Sequence, residues 1–164
     1  MLRILMIALG IGILLSACDS QNLQETFVQE ANQPPSGYTR TDVRGQVLDV
    51  DPDDWRTAPV FAGVIRFRPA YPNPTRGDAV TVPFTVLQFN VFTGGLFLRG
   101  YNDAGRFILL DEEPSATQPG AYAFSFFPNQ LSSSGDIASI RGLHRVYVFN
   151  ARGELVTYGD IMIE

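Results

Sequence analysis

Ala79-Val80-Thr81-Val82-Pro83-Phe84-Thr85-Val86-Leu87 is the stretch that decides the fold. Val80, Val82, Phe84 and Val86 alternate with Thr81, Pro83 and Thr85, the two-residue period of a strand with one buried face. Pro83 has no N–H to give to a ladder, so the pattern predicts an edge position or a bulge there. Outward from this strand the same grammar repeats. Phe61, Ile65 and Phe67 alternate with Gly63, Arg66 and Arg68 over 60–68. Residues 96–101 and 106–111 flank the turn Asn102-Asp103-Ala104-Gly105. Tyr122, Phe124 and Phe126 form one face of 120–127, and 145–150, 154–158 and 160–163 follow. Residues 43–50 make a first strand, and Asp51-Pro52-Asp53-Asp54-Trp55 reads as a helix start with Asp51 as N-cap and Pro52 at the first helical position. About seven to nine short strands at this spacing predict an all-β, immunoglobulin-like antiparallel sandwich.

An internal echo supports hairpins. Tyr101-Asn102-Asp103-Ala104-Gly105-Arg106-Phe107-Ile108 aligns with Phe149-Asn150-Ala151-Arg152-Gly153-Glu154-Leu155-Val156. Each is aromatic-Asn-x-x-Gly between apolar runs, with the glycine placed to supply the positive φ that closes the loop. The match stops outside the loops, so it marks two hairpins and not a duplicated domain. Composition agrees: 12 Phe and 6 Tyr are punctuated by 15 Gly and 11 Pro, which suits short strands and turns. The formal net charge is −5, and every basic residue is arginine. An acidic chain of this kind is a poor partner for nucleic acid, whose binding relies on clustered cations.

Pro69-Ala70-Tyr71-Pro72-Asn73-Pro74-Thr75-Arg76-Gly77, the strand after it and the Tyr101 hairpin resemble the immunoglobulin-like C-terminal sorting domains of type IX secretion cargo. They are also similar to the immunoglobulin-like domain of flagellar hook-capping proteins. The likeness covers 72–164 and implies a shared sandwich scaffold. It does not carry the sorting address, because Ile161-Met162-Ile163-Glu164 ends acidic where that family ends basic. Fold alone does not give function.

The beginning of the chain carries a different signal. Met1-Leu2-Arg3 supplies one positive charge, residues 4–15 are apolar or glycine, and Leu15-Ser16-Ala17-Cys18 follows. This is the anatomy of an export signal, with an apolar run too short to span a bilayer. Leu15-Ser16-Ala17-Cys18 resembles the lipobox of bacterial lipoproteins. The resemblance implies cleavage after residue 17, lipid (palmitate among the acyl chains) on Cys18, and firm anchoring in a cell-envelope membrane, inner or outer. Cys18 is the only cysteine, so no disulfide forms within the chain. Residues 18–42 are expected to be a lipidated N-terminus and flexible tether, with a reach of roughly 25–30 Å. Leu23, Phe27 and Ala31 are also spaced for one short helical face over 22–31. The domain proper is expected over 43–164.

Catalytic chemistry finds little support. His144 is the only histidine, and a serine triad needs it beside a nucleophile and a carboxylate. The nearby Ser132-Ser133-Ser134-Gly135-Asp136 reads as a loop. Glu112-Glu113, the carboxylate pair a glycosidase requires, abuts Pro114 in an expected turn. Asp49, Asp51, Asp53 and Asp54 resemble part of a calcium loop but lack its central glycine and closing glutamate, so capping is the preferred reading. No metal, no cofactor and no catalytic residue is expected. The sequence reading is a non-catalytic binding or assembly module presented to another envelope protein. The alternatives are a purely structural envelope protein and a carbohydrate-binding module, for which Trp55, Tyr71 and Tyr122 offer rings for stacking on polysaccharide.

Overall fold

A computed structural model describes residues 22–114 and 116–164. The leader of residues 1–17, the lipobox and Cys18 lie outside the described residues. The architecture is an antiparallel sandwich preceded by one helix, α1, over 22–31. The strands are β1 (Arg40–Thr41), β2 (Val47–Asp49), β3 (Ile65–Phe67), β4 (Val80–Val86), β5 (Leu96–Tyr101), β6 (Phe107–Glu113), β7 (Gly120–Phe126), β8 (Gly142–Asn150) and β9 (Leu155–Ile163). One sheet has the order β3-β4-β7 and the facing sheet β6-β5-β8-β9, with β1-β2 as a small outlying hairpin. The expectation of an all-β antiparallel sandwich holds.

The core lies where the alternation placed it. Val80, Val82, Phe84 and Val86 are all buried and face Leu96, Leu98, Val146 and Val148 of the other sheet. Phe84 stacks on Phe67 at 5.4 Å and on Phe124 at 4.9 Å between ring centroids, filling the gap between sheets as aromatics do at these spacings. β4 is a central strand, yet Pro83 fits. Pairing runs Phe67↔Phe84 on one side and resumes at Tyr71↔Thr81 one residue out of step. A bulge therefore sits opposite the missing N–H, while the Pro83 carbonyl still accepts from Arg68 N.

Three expectations change. The two strands expected over 154–158 and 160–163 are one strand, Leu155–Ile163, buried almost throughout. Gly159 lets it pass beneath Trp55, since a Cβ there would stand 2.2 Å from the indole ring. Residues 52–55 form turns, not a helix: Asp51 caps by accepting from Asp53 N, and Trp55 adopts φ 58 to send its ring inward. The first strand shrinks to β2, because Gly45 closes a turn in which Asp42 Oδ1 accepts from Arg44 and Gln46 N.

The largest change is at the N-terminal side. From residue 22 onward the expected tether is structure. Helix α1 lays Phe27 and Ala31, exposed by only 4% and 1%, onto the outer face of the four-stranded sheet. Phe27 packs on Tyr158 at 5.3 Å. Arg145 in β8 reaches the helix C-terminus, where its Nη1 donates to the carbonyls of Glu30, Ala31 and Gln33 at 3.1, 3.3 and 2.8 Å. A helix end leaves such carbonyls short of internal donors; here Glu30 O also accepts from Gln33 N, and a cation at this end complements the helix dipole. The same guanidinium grips Asp160 in a two-pronged bond, Nε to Oδ1 at 2.7 Å and Nη2 to Oδ2 at 2.6 Å. Its plane lies 4.7 Å from the Tyr158 ring centroid. Burial opposes the Arg145 charge, but hydrogen bonding to Asp160 and attraction to its carboxylate together hold the guanidinium above its ordinary pKa.

Asn73, the buried polar centre of the Tyr-Pro-Asn-Pro stretch, ties the sandwich edge. Its Nδ2 donates to the carbonyls of Thr39 and Asp160, and its Oδ1 accepts from Met162 N. Together with Trp55 N→Tyr158 O and Thr75 N→Met162 O, this covers the outer edge of β9, which would otherwise stand open.

Candidate binding face

The outer face of the four-stranded sheet is only half covered by α1. On the uncovered half, β5 presents Phe97, Arg99 and Tyr101, β6 presents Phe107 and Leu109, and β8 presents Tyr147 and Phe149. Tyr101 is 53% exposed, Leu109 46% and Phe107 36%. The two echoing hairpins build this face from opposite ends of the sheet. In the first, Asn102 Oδ1 accepts from Ala104 and Arg106 N, and Gly105 turns with φ 71. In the second, Asn150 Oδ1 accepts from Arg152 and Glu154 N, and Gly153 turns with φ 77. Each loop delivers the aromatic residue before its asparagine, Tyr101 or Phe149, to the same outer surface.

The rings interlock at angles. Tyr101 and Phe107 lie 4.7 Å apart, Phe107 and Phe149 meet at 5.8 Å and 90°, and Tyr101 meets Tyr147 at 6.3 Å and 86°. Arg99 sits 5.9 Å from the Phe107 ring centroid, a contact in which the ring face stabilises the cation. A groove of about 410 Å³ runs over Phe97, Arg99, Phe107 and Phe149 to the Asn150 loop. A second hollow of about 150 Å³ continues between this face, Val28 of α1 and Asn32 just beyond the helix. Burial raises the Tyr147 pKa against the opposing pull of the Arg145 charge, so this phenol stays neutral at physiological pH. The chemistry on offer is apolar contact, one guanidinium and hydroxyl donors. Among the described residues, those lining this groove include no Asp, Glu, His, Ser or Cys.

The residues singled out from sequence sit elsewhere. His144 Nε2 is 2.6 Å from the Ile140 carbonyl. Ser132 Oγ pairs with Ser134 and Ser139, while Asp103 accepts from Ser133 N and Ser139 Oγ. Asp136 caps a short turn through Ala138 N. These serines fasten the 127–141 loop onto the first hairpin, and His144 is not bonded into them. Glu112 and Glu113 close strand β6 and do not lie in a turn. As consecutive strand residues they point to opposite faces, the wrong arrangement for a carboxylate pair.

Asp51, Asp53 and Asp54 gather near Arg145 and Asp160 as structural acceptors. Asp54 takes Thr39 N and Asp160 N at 2.6 and 2.8 Å, and Asp53 stands 3.8 Å from Arg145. Burial pushes the Asp54 carboxyl up to about 7, and the Asp160 and Asp51 carboxylates add to the rise. Among the described residues no group of three or more His, Cys, Asp or Glu is arranged to hold a metal ion.

The aromatics proposed for sugar stacking are not a row. Trp55 is 4% exposed with its Nε1 unbonded, Tyr71 packs along Gly45, and Tyr122 stacks on Phe84 at 5.6 Å from the core side. The face that is exposed carries Tyr101, Phe107 and Phe149, which the sequence reading took only as strand formers. The available signal was that 96–101 and 145–150 are apolar at both alternating positions, the mark of a strand with contacts on two faces. Compared with protein-family models, with curated proteins and with solved structures, the chain gives no match.

Proposed function

We propose that the protein is a cell-envelope lipoprotein, cut before Cys18, anchored through lipid on that cysteine, and acting as a non-catalytic binding or assembly module. The observation that carries the binding half is the uncovered aromatic face of Phe97, Arg99, Tyr101, Phe107, Tyr147 and Phe149. Contiguous exposed apolar surface rimmed by polar groups marks interaction sites, and Tyr and Arg dominate the energetics of such sites. The rings stand edge to face, so they present knobs and clefts in place of the flat platform a sugar ring needs. That favours a polypeptide partner over polysaccharide.

Anchoring strengthens the case for modest affinity, since confinement to one surface raises the effective concentration of a partner there to about millimolar. Crosslinking in native membranes tests the reading. Tyr101→Ala with Phe107→Ala should abolish the crosslinked partner at unchanged abundance, while His144→Ala leaves it in place. A partner retained by the double variant, or lost with His144→Ala in a protein of unchanged stability, refutes the proposal.

A further inference from the structure

The end of the sandwich from which α1 begins is built from the loops 59–64, 87–95 and 151–154. Its parts are joined directly. Gln24 Oε1 accepts from Val60 N at 3.4 Å, Val64 O accepts from Leu87 N at 2.8 Å, and Gln88 Nε2 donates to Gly63 O at 3.3 Å. Four large apolar side chains stand in solvent here: Leu23 at 59%, Val60 at 54%, Leu87 at 42% and Phe89 at 67% exposed. None is required there by packing, and leaving such side chains in water forfeits the gain of burying them.

We propose that this end rests on the lipid bilayer, with Leu23, Val60, Leu87 and Phe89 dipping into its interface. The inference rests on the anchor reading above. Only residues 19–21 separate Cys18 from Asn22, the first described residue and the start of α1. Four residue steps of fully extended chain span at most about 14 Å. A lipid on Cys18 therefore holds this end, and no other, against the membrane. Arg152, Glu25 and Glu154 are exposed at the same end, so the local charge is mixed and the chain as a whole is negative. The contact is apolar, not an attraction to anionic headgroups. The opposite end lies a strand length away, roughly 20 Å for the seven residues of β7, and carries Phe127 at 57% exposure.

The test uses the full chain, purified from membranes in its processed form and reconstituted into phosphatidylcholine vesicles with brominated acyl chains. Phe89→Trp and Phe127→Trp add a reporter at either end, over a constant background from buried Trp55. Incorporation of labelled palmitate, with Cys18→Ser as control, reports the anchor on the same preparations. The expected result is palmitate on Cys18, loss of emission from Phe89→Trp and none from Phe127→Trp. Palmitate on Cys18 with Phe89→Trp unquenched, or with both reporters quenched alike, overturns the bilayer contact and leaves the anchor standing. No palmitate on Cys18 overturns both.

Discussion

Replacing Arg145 by methionine removes the side chain on which the N-terminal helix, the sheet face and the last strand converge. The variant leaves Asp160, 1% exposed, as an unpaired buried carboxylate. Breaking a buried pair in this way costs about 3–5 kcal/mol. It also leaves the carbonyls of Ala31 and Gln33 without the Arg145 donor, while Glu30 O keeps Gln33 N, at about 1 kcal/mol for each that water does not rescue. The loss should therefore fall at the upper end of that range, with α1 loosening first. Asp160→Asn should cost less, because Arg145 keeps its helix acceptors and Tyr158. The double variant should be more stable than the sum of the two losses predicts, by at least about 1 kcal/mol. Urea unfolding followed through Trp55 emission gives the free energies, and amide hydrogen exchange over 26–31 reports helix docking. Additivity within about 0.5 kcal/mol, or unchanged exchange in Arg145→Met, would refute the clamp.

Two further outcomes follow from the same region. Asp54 titrates at about 7 in the fold against an ordinary 3.8, so the folded state holds its proton more tightly than the unfolded one. Stability should decline as pH rises from about 4 to 7 and level off above, by on the order of 2–4 kcal/mol, and Asp54→Asn should flatten that slope; a variant whose melting temperature falls with pH as steeply as the wild type's argues against it. Deleting 22–32 should uncover Tyr158 and forfeit Phe27 burial, about 1.5–3 kcal/mol, seen as a lower melting temperature and new dye binding. An unaltered melting temperature would return α1 to the status of a tether.

Most of the sandwich was legible because its signals are local. The alternation of Val80 to Val86 and the glycines of the two hairpins each settle structure within a few residues. What was not legible depends on partners far along the chain. Helix α1 could be read as a short face of Leu23, Phe27 and Ala31, but its docking could not, because it buries only Phe27 and Ala31 and the arginine that caps it lies 115 residues beyond Glu30. Arg145 and Asp160 read as ordinary strand residues for the same reason. The binding face was hidden differently. Tyr101, Phe107 and Phe149 were visible as aromatics, but periodicity does not distinguish an outer face under a helix from one left open.

The Arg145 clamp also orders events in time. On the proposed export route, with the N-terminus leading, α1 would be delivered early and Asp160 late, and the helix would have no dock until β8 and β9 had both arrived. Contacts of such long sequence separation form slowly. Under that proposal the first described element would have nothing to fold against during passage, the chain would stay threadable until nearly all of it was across, and completion of the fold would mark the end of translocation.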